Sequence, residues 1–143
     1  MRVSEQMSHA DMLGVLARCN AETLKAFADP LVATLDDIEV IENRTGLVML
    51  PMRDTAQGTH FHLGEVLMSE ARIAVDGVEA FGMRRGRDLE AAMAMAVVDA
   101  CLSLGREAER CADFIAAEAR RLEVDDRETL RRVEATRVNM ETF

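Results

Sequence analysis

The spacing of apolar residues along the chain changes period twice. Near the N-terminus, Leu13, Leu16 and Ala17 recur at helical spacing behind Ser8, whose hydroxyl suits a helix N-cap. Cys19-Asn20 breaks that pattern, and Leu24, Phe27, Ala28, Leu31 and Leu35 take it up again. Pro30 interrupts the second stripe. With Asp29 as an N-cap before it, a break or kink is expected there.

From Asp37 to Met83 the chain reads differently. "DIEVIE", "GLVMLPM", "THFHLGEVLM", "ARIAV" and "VEAFGM" are short segments rich in β-branched or aromatic residues, separated by turn chemistry. Asn43–Gly46 predicts one turn, Asp54–Gly58 a looser one, and Asp76-Gly77 a tight hairpin. Pro51 has no N–H for a ladder, so its strand is expected at an edge or beside a bulge. The expectation is an antiparallel meander of four to five strands.

The last third returns to the helical period. Leu89, Ala92, Met93, Ala96, Val97, Ala100, Cys101 and Leu104 form one stripe, and Ala91, Met95, Val98 and Leu102 a second. Glu90, Asp99 and Ser103 leave a thin polar seam between them. Gly105 is a stop, Ala108, Cys111, Ala112, Ile115, Ala119 and Leu122 continue a single face, and "RETLRRVEATRVNM" predicts a further, shorter helix. Helices, then sheet, then helices predict an α+β fold with the C-terminal helices packed on one side of the sheet. One stripe of helix 89–104 covers the sheet. The other, with Met95, Val98 and Leu102, is left for the C-terminal helix or for a partner subunit.

Composition narrows the function classes. The 143 residues carry a formal net charge of −9, which argues against a general nucleic-acid surface. The length suits one domain over residues 1–143. No apolar run approaches a membrane span, and the polar N-terminus lacks a signal-peptide stretch, so a cytoplasmic location and no membrane partner are expected. The three cysteines form no CxxC pair and read as buried reduced thiols.

Candidate chemistry is sparse. His60 and His62 alternate on a strand and share a side, but no third ligand stands near apart from Glu65 or the distant His9; a polar strand face is the simpler reading. Glu65 is expected to pair with Arg72 across strands. Arg84, Arg85 and Arg87 crowd the turn before helix 89–104, where free helix amides and forked guanidinium donors suit an anion. Asp88, an N-cap candidate, would occupy those same amides, which gives the simpler reading of a capped turn with solvated arginines, Arg84 foremost. No nucleophile elbow, zinc motif or dinucleotide fingerprint is present.

One ordered set of motifs carries a resemblance. "TGLVMLPM" at Thr45–Met52, "FHLGEVLMSEARIAV" at Phe61–Val75, "GRD" leading into an alanine-rich helix with "VVDACL" at Val97–Leu102, and the terminal "ATRVNMETF" together resemble the PhnG family. That is the G subunit of the carbon–phosphorus lyase core complex of bacterial phosphonate use. The resemblance implies a subunit that, with partners of the H, I and J type, takes part in displacing adenine from MgATP by an alkylphosphonate. The product is a ribose 1-phosphonate 5-triphosphate. It implies no catalytic residue and no cofactor bound by this chain, MgATP being a substrate of the complex. Glu65, Arg87-Asp88 and Arg137 are the counterparts of family motif positions, with no role assigned. The histidine pair is not typical of the family. The chain stops close after "TRV", where some relatives continue, so a C-terminal contact is expected to be shortened. Two other readings stand beside it: a homo-oligomeric interaction protein unrelated to phosphonates, and a small enzyme or metal binder built on His60, His62 and Glu65.

Overall fold

The computed structural model describes residues 7–139. Its elements run α1 (His9–Arg18), α2 (Ala21–Val32), β1 (Glu39–Arg53), β2 (His60–Val75), β3 (Val78–Arg85), α3 (Leu89–Leu104) and α4 (Ala108–Ala135). This is the α+β order read from the sequence.

The first helix begins where the Ser8 cap predicts, and the Cys19-Asn20 break is where the second one starts. Ser8 and Asp11 form a reciprocal capping box, and Asn20 accepts from the Thr23 N–H to start α2. Pro30 does not break α2; the helix runs through it and ends at Val32. A proline this close to a C-terminus costs the helix little length.

The sheet has three strands in the order β1-β2-β3, all antiparallel, rather than four to five. Two expected turns are absent. Asn43 to Gly46 stays in β1, paired with Ala71 to Met68, and "THFHLGEVLM" runs into "ARIAV" as one strand. Long-range ladder bonds outweigh the local turn preference of Asn43 and Gly46. The Asp76-Gly77 hairpin forms as expected, with both residues at positive φ (49° and 78°) as a type I′ turn requires. Pro51 lies on the edge strand, and the β1–β2 register shifts between Leu50 and Pro51.

The core lies between the sheet and the helices. Ala71, Ile73 and Val75 of β2 and Ala80 of β3 point at α3 and are fully buried or nearly so. Gly82 brings β3 against α3 so closely that a Cβ there would lie 2.0 Å from the Ala92 carbonyl oxygen. The alanine-rich helix and the glycine thus set the spacing of the two layers. On its other side α3 packs against α2, with α1 and α4 completing the cover. Met95 and Val98 are buried, and Leu102 packs partly buried against the core. The second apolar stripe of α3 is therefore filled within the chain, chiefly by α2 rather than by the C-terminal helix alone. Stacked rings of Phe27 and Phe114, 4.0 Å apart, join α2 to α4.

α4 is one helix of 28 residues, not two, since "RRLEVDDRETLRR" contains no breaker. Its buried residues, Cys111, Ile115, Ala116 and Glu118, all lie in the first half. From Glu123 onward every described residue is exposed. At about 1.5 Å per residue the helix is long enough to project well past the core.

Candidate functional site

The arginine turn is mostly satisfied from within. Ser69 Oγ donates to the Gly86 carbonyl at 2.7 Å and accepts from the Asp88 N–H at 2.9 Å, tying the turn to β2. Asp88 caps α3, accepting from the Ala91 N–H at 3.0 Å, and Lys25 of α2 sits 3.0 Å from its other oxygen. The Ala91 N–H foremost, then Lys25, hold the Asp88 carboxyl below the usual carboxylate range. The place at the helix amides where an anion would sit is taken by the chain's own carboxylate.

The three arginines have different fates. Arg84 is buried, and its guanidinium donates to the Leu16 and Cys19 carbonyls at the C-terminal end of α1. A solvated charge is expected from its place in the run; the structure instead makes it a brace between β3 and α1. Alternation along β3 is the reason, because Ala80, Gly82 and Arg84 share the inward side. Arg85 and Arg87 are exposed.

The other candidates do not converge. Glu65 is exposed on β2 opposite Met49, and Arg72 lies on the same strand opposite Glu42 and Phe81. Their expected cross-strand pair therefore does not form: two residues of one strand seven positions apart are roughly 23 Å apart. Arg137 lies beyond α4, 3.2 Å from Glu134. The remainder of its motif, residues 140–143, falls outside the described residues. His60 and His62 lie near the start of β2, while His9 pairs with Asp99 of α3. Among the described residues no three of His, Cys, Asp or Glu are grouped to hold a metal ion. No helix among them is long and apolar enough to cross a membrane.

Two features went unread in the sequence. Asp99 is not part of an exposed seam: it is 1% exposed and accepts from the Phe81 N–H at 3.0 Å. The other is a projecting arm. β3 pairs only with Met68–Val75, so Leu47–Arg53 of β1 and His60–Leu67 of β2 continue as a two-stranded ribbon beyond the third strand. Leu47, Val48, Met49, Leu50, Met52, Phe61, Leu63 and Leu67 are all exposed on it. Neighbouring residues of a strand face opposite ways, so the unbroken run "LVML" puts apolar side chains on both faces. That run is the signal that could have found the arm. Phe81 and Met83 extend the exposed apolar surface onto β3.

At the root of the arm lies a groove of ≈ 770 Å³. Val48, Leu50, Met68 and Met83 line its sheet side, Ala17 and Leu122 its helix side, and Arg84 and Arg85 also border it. A second hollow of ≈ 300 Å³ shares Val48, Met68 and Met83 with it.

The three cysteines are buried and unbridged. Burial pushes Cys111 up to about 12, and Cys19 and Cys101 are raised for the same reason. None has the thiolate character of a nucleophile. The described surface thus presents a large apolar arm and a groove, with no assembled set of reacting groups.

None of the curated proteins matches the chain. A family model does: that of phosphonate metabolism protein PhnG matches residues 8–143, nearly the whole chain. The chain belongs to the PhnG family of phosphonate metabolism proteins.

Proposed function

We propose that this chain is a non-catalytic subunit of the carbon–phosphorus lyase core complex. In that assembly it takes part in displacing adenine from MgATP by an alkylphosphonate, giving a ribose 1-phosphonate 5-triphosphate. Its partners are subunits of the H, I and J type, and the complex works in the cytoplasm. MgATP is the substrate of the assembly and not a cofactor of this chain.

The observation that carries the reading is the arm. A two-stranded ribbon is marginal in water by itself, and exposed apolar patches of this kind mark interaction sites. α3, whose second stripe first suggested a partner, is satisfied within the chain; the arm's eight large apolar side chains are not. Family membership gives the metabolic setting in which such a partner would be found.

The test is reconstitution. The isolated chain is expected to release no adenine from ATP and alkylphosphonate. Addition to the other subunits is expected to raise adenine release above that of those subunits alone. Release by the purified chain by itself, or no effect of adding it, contradicts the proposal.

A further inference from the structure

We infer that Cys101 and Cys111 form an oxidisable thiol pair, a modification site at which a hydroperoxide joins them in a disulfide that fastens α4 to α3. The site lies at the corner between those helices, where Arg106 pairs with Asp76 of the β2–β3 turn, at the end of the sheet opposite the arm. It holds whether or not the chain is a subunit.

Cys101 lies in the last turn of α3 and Cys111 in the first turn of α4, on either side of the Gly105–Glu107 corner. Both side chains are fully buried, and each thiol is a hydrogen-bond partner of the other. Cys101 also meets the Thr34 side chain just past the end of α2. Cys19 is elsewhere: its sulfur lies 3.7 Å from the Arg84 guanidinium, between α1 and β3. A disulfide bond is about 2.05 Å long, a short further approach for two sulfurs already in contact.

The corner supplies that movement. Glu107 holds a left-handed backbone (φ 51°), which strains a residue with a side chain, and it gives α4 no side-chain cap. The first turn is held by backbone bonds alone, among them that of the Cys111 N–H to the Glu107 carbonyl at 2.9 Å. A strained, uncapped helix start opens more readily than the packed middle of a helix. Opening it brings out the Cys111 thiol and lifts the burial that keeps it neutral.

The opened Cys111 thiolate attacks the hydroperoxide and the O–O bond breaks. An alcohol leaves, or water from hydrogen peroxide, carrying the proton that the thiol gave up. As the turn closes, the Cys101 sulfur attacks the sulfenic acid. The S–S bond forms, the S–O bond breaks, and the hydroxyl departs as water with the second proton. The two thiols together lose two electrons, and the peroxide takes them. Burial makes the reaction slow, so the pair answers sustained oxidation and not a brief pulse.

The experiment treats the full chain with hydrogen peroxide at neutral pH, blocks the remaining thiols and maps its peptides without reductant. The expected product is a Cys101–Cys111 cross-linked peptide, formed about tenfold faster than any linkage of Cys19. The cross-linked chain is expected to melt about 5 °C or more above the reduced chain, because the bond closes a loop, and to revert with dithiothreitol. Cys19→Ser is expected to keep both effects and Cys111→Ser to lose both; if Cys111→Ser does not fold, the wild-type map decides. Sulfinic acid on Cys111 without the cross-link overturns the inference, as does linkage to Cys19 or to a second chain. So do untouched thiols once the Cys111 N–H has exchanged with deuterium. A cross-linked chain that melts no higher than the reduced one overturns the fastening of α4.

Discussion

His9 Nε2 lies 2.6 Å from Asp99 Oδ1, joining the first turn of α1 to the middle of α3 through a carboxylate that is almost wholly buried. The other Asp99 oxygen accepts from the Phe81 N–H of β3, so one side chain ties three elements together. Asp99→Ala leaves that N–H without its partner and should cost about 1–3 kcal/mol. His9→Ala should cost less, since one oxygen of Asp99 keeps its donor. Denaturant unfolding of both variants checks the order; equal costs would mean that Asp99 acts mainly through His9.

Arg84 and Arg85 are neighbours with opposite burial, which makes them a controlled pair. Arg84→Ala removes the donors that satisfy the Leu16 and Cys19 carbonyls and should cost about 2–4 kcal/mol. Arg85→Ala should stay within about 0.5 kcal/mol of wild type, as surface substitutions usually do. Thermal melts of the two variants separate the brace from the free charge.

Gly82 is the tightest point between sheet and helices. Gly82→Ala drives a methyl group into the Ala92 carbonyl and should cost about 3 kcal/mol or more, because backbone on both sides must shift. Gly64→Ala, on the arm with nothing within 4 Å of a new Cβ, is the comparison and should be far milder. Similar melting temperatures for the two would refute the close α3–β3 approach.

The cysteines make a prediction about pH. Cys111 is raised from the ordinary thiol value of 9.0 to about 12 by burial foremost, so the folded chain holds the neutral thiol while the unfolded chain ionises first. Stability from this group is complete below pH 9.0 and falls as pH rises toward about 12. Cys111→Ala should flatten that alkaline loss. In the native protein at neutral pH, all three thiols should react with a soluble disulfide reagent only as fast as the chain opens.

Much of the fold was legible because it rests on local chemistry. Ser8, Asn20, Asp88 and Asp76-Gly77 each fix an element boundary through contacts within four residues, and each does so in the structure. What the sequence hid depends on distant partners. The turn read at Asn43–Gly46 gives way to a ladder with residues far along the chain. Arg84 looked solvated because nothing near it in sequence shows the α1 carbonyls it meets, and Asp99 looked polar-facing because Phe81 and His9 approach it from other elements. The arm needed only the two-residue period, applied to a run with no polar member.

The central claim is that the apolar arm joins this chain to the adenine-displacing assembly. The most direct measurement is adenine release from ATP and methylphosphonate by the other subunits together, supplemented with wild-type chain or with a Leu47→Asp, Leu67→Asp variant. These two residues face each other across the arm and are both exposed, so the folded chain should melt as wild type does. The account predicts that the wild-type chain restores release and that the variant neither co-purifies with the assembly nor restores it. Full restoration by the variant, with normal co-purification, would contradict it.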